Sequence, residues 1–223
     1  MFVGFCMMAA AISKELDFHF LHNEKTKQYI KNCQVLFIMR GLPGSGKSTI
    51  VLEIVKVYGK SDTCVCSADD YFLQQDGVYK YQREDLHDAH QECQIKAQNA
   101  CKEKVPIVII DNTNVRKWEM KFYLTLADTY NYNVILVSPR TEWSCDGKIL
   151  AQKNKHNVDE DTLKQKIIAY VKENVNPYYW GWFLNINSSN KLVKLAQQYL
   201  ISCINTSKEF SKYYESQTGK KMT

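Results

Sequence analysis

The nine residues from Gly41 to Thr49, GLPGSGKST, decide the fold of this chain. They match the pattern G-x-x-x-x-G-K-[ST] in full, with an apolar run before them at 35–39 (VLFIM) and an amphipathic helical pattern after them at 48–58. Glycines let backbone N–H groups approach phosphate oxygens without a Cβ in the way, and the start of the following helix favours the same negative charge. The stretch therefore predicts a loop that binds the phosphates of a nucleoside triphosphate, ATP or GTP.

The predicted nucleotide-binding residues of this stretch are Gly41, Gly44, Ser45, Gly46, Lys47, Ser48 and Thr49. We expect Lys47 to contact the β- and γ-phosphates and the Ser48 hydroxyl to ligate Mg²⁺. A second oxygen ligand is predicted at Asp111, which ends the apolar run 107–110 and would lie at the carboxyl end of a strand. An aspartate that caps the next helix is the alternative interpretation of Asp111.

Apolar runs alternate with helical patterns along the chain. The runs predict strands at 35–39, 63–67, 105–110, 134–137 and 183–186, and the periodicity predicts helices at 48–58, 85–102, 115–130, 159–173 and 191–204. This alternation is typical of an α/β fold. We predict a P-loop NTPase three-layer sandwich with a mostly parallel sheet of about five strands and helices on both faces.

Three segments are predicted along the chain. Residues 1–32 form an N-terminal leader, poorly ordered or packed, whose apolar start at 1–12 is too short to span a bilayer. Residues 33–204 form the P-loop domain. Residues 205–223 form a tail or linker, whose lysines indicate a solvated or disordered segment.

Two carboxylates follow the second predicted strand, in the segment Ser67-Ala-Asp-Asp-Tyr-Phe72. Asp69 at the carboxyl edge of the sheet is placed to accept a proton from an attacking hydroxyl, the role of a general base in phosphoryl transfer. A turn in which these aspartates cap a helix N-terminus explains the same residues equally well. The residues alone leave the two interpretations open.

Composition bounds the partners and the compartment. The 223 residues carry a net charge of +5 but only four arginines, which argues against an extended arginine-rich surface for nucleic acid. The eight cysteines are scattered without a CxxC pair, which argues against a structural zinc site and favours free thiols in a reducing compartment. We therefore predict a cytoplasmic protein without a transmembrane segment.

A family resemblance rests on four motifs: RGLPGSGKST (40–49), SADDYF (67–72), IDNTN (110–114) and YWGWFL (179–184). In order and spacing they resemble the N-terminal half of the 2′,3′-cyclic-nucleotide 3′-phosphodiesterase (CNPase) family, a P-loop domain similar to polynucleotide 5′-kinases. SADDYF and IDNTN are also similar to segments of ubiquitin-ligase-binding P-loop kinases. The resemblance covers about 33–210, most of the chain.

The resemblance implies roles for particular positions. The catalytic aspartate of the kinases corresponds to Asp69, and the nucleotide-binding lid to the helix that contains Lys153. The chain departs from the phage-type kinases at Phe72, where they have an arginine that binds the acceptor phosphate, and at Asn112, where they have a second catalytic aspartate.

The family's named activity requires two His-x-Thr/Ser motifs, and none of the five histidines here begins one. We therefore expect no cyclic-nucleotide phosphodiesterase activity from this polypeptide. The resemblance also implies that the protein associates peripherally with membranes. No oligomeric state is predicted.

Two functions remain as hypotheses. The first is a Mg²⁺-dependent ATP or GTP phosphotransferase that acts on a polynucleotide 5′-hydroxyl in RNA metabolism, with Lys47, Asp69 and Arg83 as catalytic residues. In it Lys47 binds the transferring phosphate, Asp69 takes the hydroxyl proton and Arg83 steadies the acceptor or the γ-phosphate. The second is a catalytically silent nucleotide-binding or scaffold module, or a truncated chain of the CNPase family. The aromatic block at 178–183 favours core packing over stacking on RNA bases.

Overall fold

A four-stranded parallel sheet forms the centre of the protein. The computed structural model describes residues 13–73, 78–156, 158–173, 175 and 186–219. Its strands are β1 (Val35–Met39), β2 (Thr63–Cys66), β3 (Ile107–Ile110) and β4 (Asn133–Val137). They lie in the order β2-β3-β1-β4, and each neighbouring pair is parallel. All four carboxyl ends therefore meet at one edge of the sheet.

Helices connect the strands and flank the sheet. They are α1 (His19–His22), α2 (Glu24–Lys31), α3 (Lys47–Tyr58), α4 (Leu86–Lys102), α5 (Lys117–Tyr130), α6 (Gly147–Lys153), α7 (Glu160–Lys172), α8 (Ile186–Thr206) and α9 (Lys208–Thr218). Short 3₁₀ helices occur at Lys14–Leu16, Lys60–Asp62 and Ala68–Phe72. The bounds of α3, α4, α5 and α7 agree with the sequence prediction to within two residues at each end.

Each face of the sheet is covered by its own layer of helices. One face packs its alternate strand residues, such as Leu36 and Val108, against buried side chains of α4 and α5. The other face packs Phe37 and Ile109 against α3 and the N-terminal segment. Strand residues are buried on both faces, which explains the continuous apolar runs. The predicted three-layer α/β sandwich is confirmed.

The predicted count of about five strands is wrong for the part of the chain that the structure describes, which contains four. The fifth candidate, 183–186, lies outside the described residues up to 185, and Ile186 is the first residue of α8. A four-residue apolar run is too short to distinguish a strand from a helix, and Ile186 shares the helical period of Val193 and Leu200. The aromatic block at 178–183 also lies outside the described residues.

The described residues near both ends of the chain form packed or helical segments. Within 1–32, Phe18, Phe20 and Ile30 are fully buried against β1 and α3, so the described residues 13–32 form a packed segment. Within 205–223, Lys208–Thr218 form helix α9, in which no residue is buried. Its N-terminus is capped by Ser207, whose Oγ accepts a hydrogen bond from the Phe210 N–H at 3.2 Å.

The chain divides into two compact units, Met1–Phe183 and Leu184–Thr223. The first contains the sheet, and the second contains α8 and α9, which pack against each other. The predicted boundaries at 32/33 and 204/205 do not coincide with this division. Among the described residues, none of the helices combines the length and the apolar character that a membrane crossing requires.

Candidate functional site

The loop between β1 and α3 has the backbone of an anion-binding site. Gly46, directly before α3, has φ +100° and ψ 10°, a left-handed conformation that residues with a Cβ rarely adopt. It provides no side-chain cap, so the first N–H groups of α3 have no such acceptor. Thr141 Oγ1 donates to the Ser45 carbonyl at 3.0 Å and Trp143 Nε1 to the Gly44 carbonyl at 3.2 Å. The segment after β4 therefore holds the loop carbonyls and leaves amide donors for an anion.

The side chains predicted to hold phosphate and metal lie together where α3 begins. Ser48 Oγ donates to Asp111 Oδ2 at 3.1 Å, and Lys47 Nζ donates to the Leu42 carbonyl at 3.0 Å. Burial lowers the pKa of Lys47, whereas the nearby carboxylates of Asp111 and Asp69 act to raise it. Burial also raises the pKa of Asp111, against the opposing effects of Lys47 and Ser48. The ammonium and the two carboxylates thus belong to one electrostatic cluster.

The possible metal ligands at this site suit Mg²⁺, which needs few protein ligands, better than a metal ion that protein side chains surround completely. Ser48 and Asp111 offer hard oxygen ligands within hydrogen-bond distance of each other. The described residues contain no group of three or more His, Cys, Asp or Glu side chains that could hold a metal ion alone. Mg²⁺ typically takes one or two protein oxygens and completes its shell with water and substrate phosphates. The residues present fit a Mg²⁺–nucleotide complex.

One buried polar atom also fits a ligand at the loop. Ser45 is 1% exposed, and its hydroxyl has no hydrogen-bond partner among the described residues. An unpaired buried hydroxyl costs free energy that a bound anion would offset. Thr49 is exposed in the first turn of α3.

The segment after β2 forms a 3₁₀ helix whose cap is Ser67. Ser67 Oγ accepts from the Asp69 N–H at 3.2 Å and donates to the Asp111 carbonyl at 3.1 Å. Asp70 pairs with Lys96 at 2.8 Å. Ser67 therefore serves as the cap, and the Asp69 carboxylate is not needed for it.

Asp69 is held by two aromatic side chains. Tyr79 Oη donates to Asp69 Oδ1 at 3.2 Å, and His156 Nε2 lies 3.3 Å from Asp69 Oδ2. The rings of Tyr79 and His156 are themselves in contact, with centroids 4.7 Å apart. The family resemblance placed His156 on the nucleotide-binding lid, but the sequence linked neither His156 nor Tyr79 to Asp69. They lie 87 and 10 residues from Asp69, and no local pattern joins them.

The IDNTN segment (110–114) connects the phosphate loop to the 3₁₀ helix Ala68–Phe72, which we call the Asp69 turn. Asn112 is buried, its Oδ1 accepts from the Ala68 N–H at 3.0 Å, and its Nδ2 lies 3.4 Å from both Cys93 Sγ and Tyr123 Oη. Asn114 Nδ2 donates to the Met39 carbonyl at 2.7 Å. These two asparagines act as structural ties, a role that the motif comparison did not reveal.

Phe72, where the phage-type kinases have an arginine, is a core residue. It is 4% exposed, and its ring contacts those of Tyr79 and Tyr81, with centroids 6.0 and 5.1 Å away. Its side chain packs in the interior beneath the Asp69 turn.

Helix α6 ends against the phosphate loop. A Cβ on Gly44 would lie 2.9 Å from both Leu150 O and Asn154 N, so the loop and the last turn of α6 are in backbone contact. Lys153, the last residue of α6, places its Nζ 4.3 Å from the ring centroid of Trp143, which also holds the loop. Arg83 is exposed in the segment before α4, and no described contact joins its side chain to Lys47 or Asp69.

Comparison with known proteins agrees with this geometry. A family model described as an AAA domain matches residues 36–177. The chain is 35% identical over 186 residues to 2′,3′-cyclic-nucleotide 3′-phosphodiesterase of Mus musculus, covering 83% of this chain and 43% of that protein. It is 36% identical over 136 residues to NEDD4-binding protein 2 of Homo sapiens, covering 61% of this chain and 8% of that protein. It therefore spans less than half the length of these curated relatives.

A solved structure has a similar fold. A chain in the structure of the Pnkp1/Rnl/Hen1 RNA repair complex superimposes with a TM-score of 0.50 and 17% identity, covering 66% of this chain and 48% of that one. At this level of identity the likeness concerns the fold alone. With the family match across more than half of its residues, the chain belongs to the AAA domain family, as a P-loop, kinase-like domain related in sequence to CNPase.

Proposed function

We propose that this protein binds a Mg²⁺–nucleoside triphosphate, ATP or GTP, and transfers its γ-phosphate to a hydroxyl group, the 5′-hydroxyl of an RNA end. The observation that carries the proposal is the contact between Ser48 Oγ and Asp111 Oδ2, 3.1 Å apart where α3 begins. It brings together two oxygen ligands from separate β–α units, beside a half-buried lysine and an uncapped helix N-terminus. Positioning and charge stabilisation of this kind supply most of the catalysis in phosphoryl transfer.

On the nucleotide side, the chain's own residues bind and orient the phosphates. Backbone N–H groups of the loop and of the first turn of α3 donate hydrogen bonds to the phosphate oxygens, and the Lys47 ammonium stabilises the charge of the group being transferred. Ser48 and Asp111 would hold Mg²⁺, which would neutralise part of the negative charge of the bound phosphates. Lys153, on the helix that ends against the loop, contributes a further positive charge to the nucleotide.

On the acceptor side, Asp69 is the general base. Its carboxylate is half exposed and so open to an incoming hydroxyl, and Tyr79 and His156 restrict its orientation. The attacking oxygen loses its proton to a carboxylate oxygen of Asp69 as its bond to the γ-phosphorus forms. The bond between that phosphorus and the oxygen bridging to the β-phosphate breaks, and the nucleoside diphosphate leaves. Arg83 is proposed to steady the acceptor or the γ-phosphate when both substrates are bound.

The test is transfer of labelled γ-phosphate from ATP or GTP to a 5′-hydroxyl oligoribonucleotide. We expect Asp69→Asn to lower the transfer rate by about 10²- to 10⁴-fold, the usual contribution of a general base. Asp70→Asn is the matched control, because the neighbouring carboxylate pairs with Lys96. Absence of transfer by the wild-type protein at high concentration would refute the proposed reaction.

A second candidate is a nucleotide-binding module without turnover. Two observations favour it: Phe72 is buried where the phage-type kinases have an arginine, and Asn112 is buried in a hydrogen-bond network where they have an aspartate. Tight nucleotide binding that Lys47→Met abolishes, together with no phosphoryl transfer to any acceptor, would support this candidate. Turnover that depends on Asp69 would exclude it.

The remaining proposals concern location and organisation. We propose a cytoplasmic protein, supported by seven free cysteines among the described residues, with peripheral membrane association as in its family. We also propose that nucleotide binding resides in the P-loop domain predicted at 33–204 and that the chain has no phosphodiesterase activity.

A further inference from the structure

A groove at the edge of the sheet contains a cysteine that the proposed phosphotransferase does not use. The groove has a volume of about 600 Å³ and lies between the edge strand β2 and one face of α4. It is lined by the half-buried Cys64, by the charged and polar side chains Glu92, Lys96, Asn99 and Glu103, and by apolar side chains such as Ile95 and Val105. A small polar molecule can therefore approach Cys64 from solvent.

A second thiol lies beside Cys64 on the same strand face. Cys64 Sγ and Cys66 Sγ are 3.8 Å apart, within the range of a hydrogen bond between sulfurs. Cys66 is fully buried, and its hydrogen bond to Cys64, together with burial, raises the pKa of the Cys66 thiol. Either sulfur can be the donor at this distance, and the buried Cys66 S–H is the one that this pKa favours. The more accessible Cys64 sulfur is the acceptor, and an S–H donor stabilises it as a thiolate.

The charges around the groove act in both directions on Cys64. The Cys66 hydrogen bond is the largest influence and, with the Lys96 ammonium, lowers the pKa of Cys64 to about 7, although burial and the carboxylates of Glu103 and Asp70 oppose this. The titratable groups around Cys64 are Cys66 on β2, Asp70 in the 3₁₀ helix Ala68–Phe72, Glu92, Lys96 and Cys101 on α4, Glu103 directly after it, and Tyr132 before β4. A partly exposed thiol in such surroundings has the character of a reactive cysteine.

We propose that Cys64 is a modification site, a reactive thiol that hydrogen peroxide oxidises to a sulfenic acid in the groove beside α4. In this step the Cys64 thiolate sulfur attacks one peroxide oxygen, an S–O bond forms and the O–O bond breaks. Hydroxide leaves and takes a proton from solvent to become water, so sulfur is oxidised by two electrons and peroxide is reduced.

The first experiment is the pH dependence of iodoacetamide labelling of the full chain, read for each cysteine by peptide mass spectrometry. We expect the labelling rate of Cys64 to reach half its maximum near pH 7. Cys66→Ala removes the donor and moves this midpoint up by about one pH unit or more, towards the ordinary thiol value of about 8.5. Cys66→Ser keeps an O–H donor and is the matched control, with a midpoint below that of Cys66→Ala.

Two results of this experiment would overturn the proposal. One is a wild-type midpoint at or above about 8.5, the value of an ordinary thiol. The other is an equal midpoint in folded Cys66→Ala and Cys66→Ser proteins, with folding checked by circular dichroism. If Cys66→Ala does not fold, the wild-type midpoint decides by itself.

The second experiment exposes the full chain to hydrogen peroxide at pH 7 and captures sulfenic acid with dimedone. We expect the adduct on Cys64 to accumulate faster than that on Cys145, an exposed cysteine that serves as the reference in the same sample. Equal or faster capture at Cys145 would contradict the proposal.

Discussion

Replacing Gly44 by alanine tests how the phosphate loop is held against α6. Gly44 has φ +77°, and an added Cβ would lie 2.9 Å from both Leu150 O and Asn154 N. Both neighbours are backbone atoms in the last turn of α6, so neither can rotate away as the end of a side chain can. Gly44→Ala must therefore either displace the end of α6 or distort the loop.

The cost has two parts. The left-handed backbone costs a residue with a Cβ about 1–2 kcal/mol. Overpacking against fixed backbone adds about 1–3 kcal/mol. We therefore expect Gly44→Ala to lower the free energy of unfolding by about 3 kcal/mol.

Gly46→Ala is the matched control. Its φ of +100° carries the same kind of backbone cost, but its Cβ would meet only the Thr141 methyl group, at 3.3 Å. We expect a loss of about 1–2 kcal/mol for Gly46→Ala. Urea denaturation of both variants and the wild type measures the two costs. If Gly44→Ala is no more destabilising than Gly46→Ala, α6 does not pack on the loop as described.

Three further predictions concern the surroundings of the site. Asn112→Ala leaves the buried Ala68 N–H without an acceptor. Urea denaturation should show a free energy of unfolding lower by about 2 kcal/mol. A loss below about 0.5 kcal/mol would contradict the structural role of Asn112. Tyr79→Phe removes the hydroxyl that orients Asp69. It should lower kcat for phosphoryl transfer about tenfold without changing the KM for the nucleotide. Tyr81→Phe is the control, and an equal effect of both variants on kcat would show that Tyr79 does not orient Asp69. Burial raises the pKa of Tyr58 above that of the unfolded chain, about 10, so above pH 10 the phenol loses its proton on unfolding. The free energy of unfolding that Tyr58 contributes is therefore complete below about pH 10 and is lost as the pH rises further. In Tyr58→Phe the free energy of unfolding should therefore fall less steeply above pH 10, by about 1.4 kcal/mol per pH unit, in urea denaturation at several pH values. The same slope in the variant and the wild type would contradict this.

Much of the fold was predictable because its strands are buried on both faces. Runs such as 35–39 and 107–110 are continuous apolar stretches, and the helices between them have clear periodicity, so type and bounds followed from local patterns. The packing of 13–32 was not predictable in the same way, because it depends on contacts between distant parts of the chain. Phe20 packs its ring on that of Phe37, and its carbonyl accepts a hydrogen bond from Tyr58 Oη. Helix α9 was not predicted, because the lysines among its aromatic residues indicate a solvated or disordered segment.

The candidate site divides along the same line. Lys47 and Ser48 belong to a contiguous motif, so the sequence alone indicated their position at the start of α3. Tyr79 and His156 contact Asp69 only because the fold brings three separate segments together, and no spacing in the sequence predicts these contacts. Asn112 shows the converse, since a motif position associated with catalysis is occupied here by a buried structural residue.

Isothermal titration of the full chain with Mg²⁺–ATP and Mg²⁺–GTP tests the central claim most directly. We expect the wild type to bind at least one of them, and Lys47→Met to weaken binding about 10- to 100-fold, the value of a charge-assisted contact. Lys56→Met, on the same helix but paired with Glu53 at the surface, should bind as the wild type does. Failure of the wild type to bind either nucleotide, or equal binding by Lys47→Met, would contradict the account.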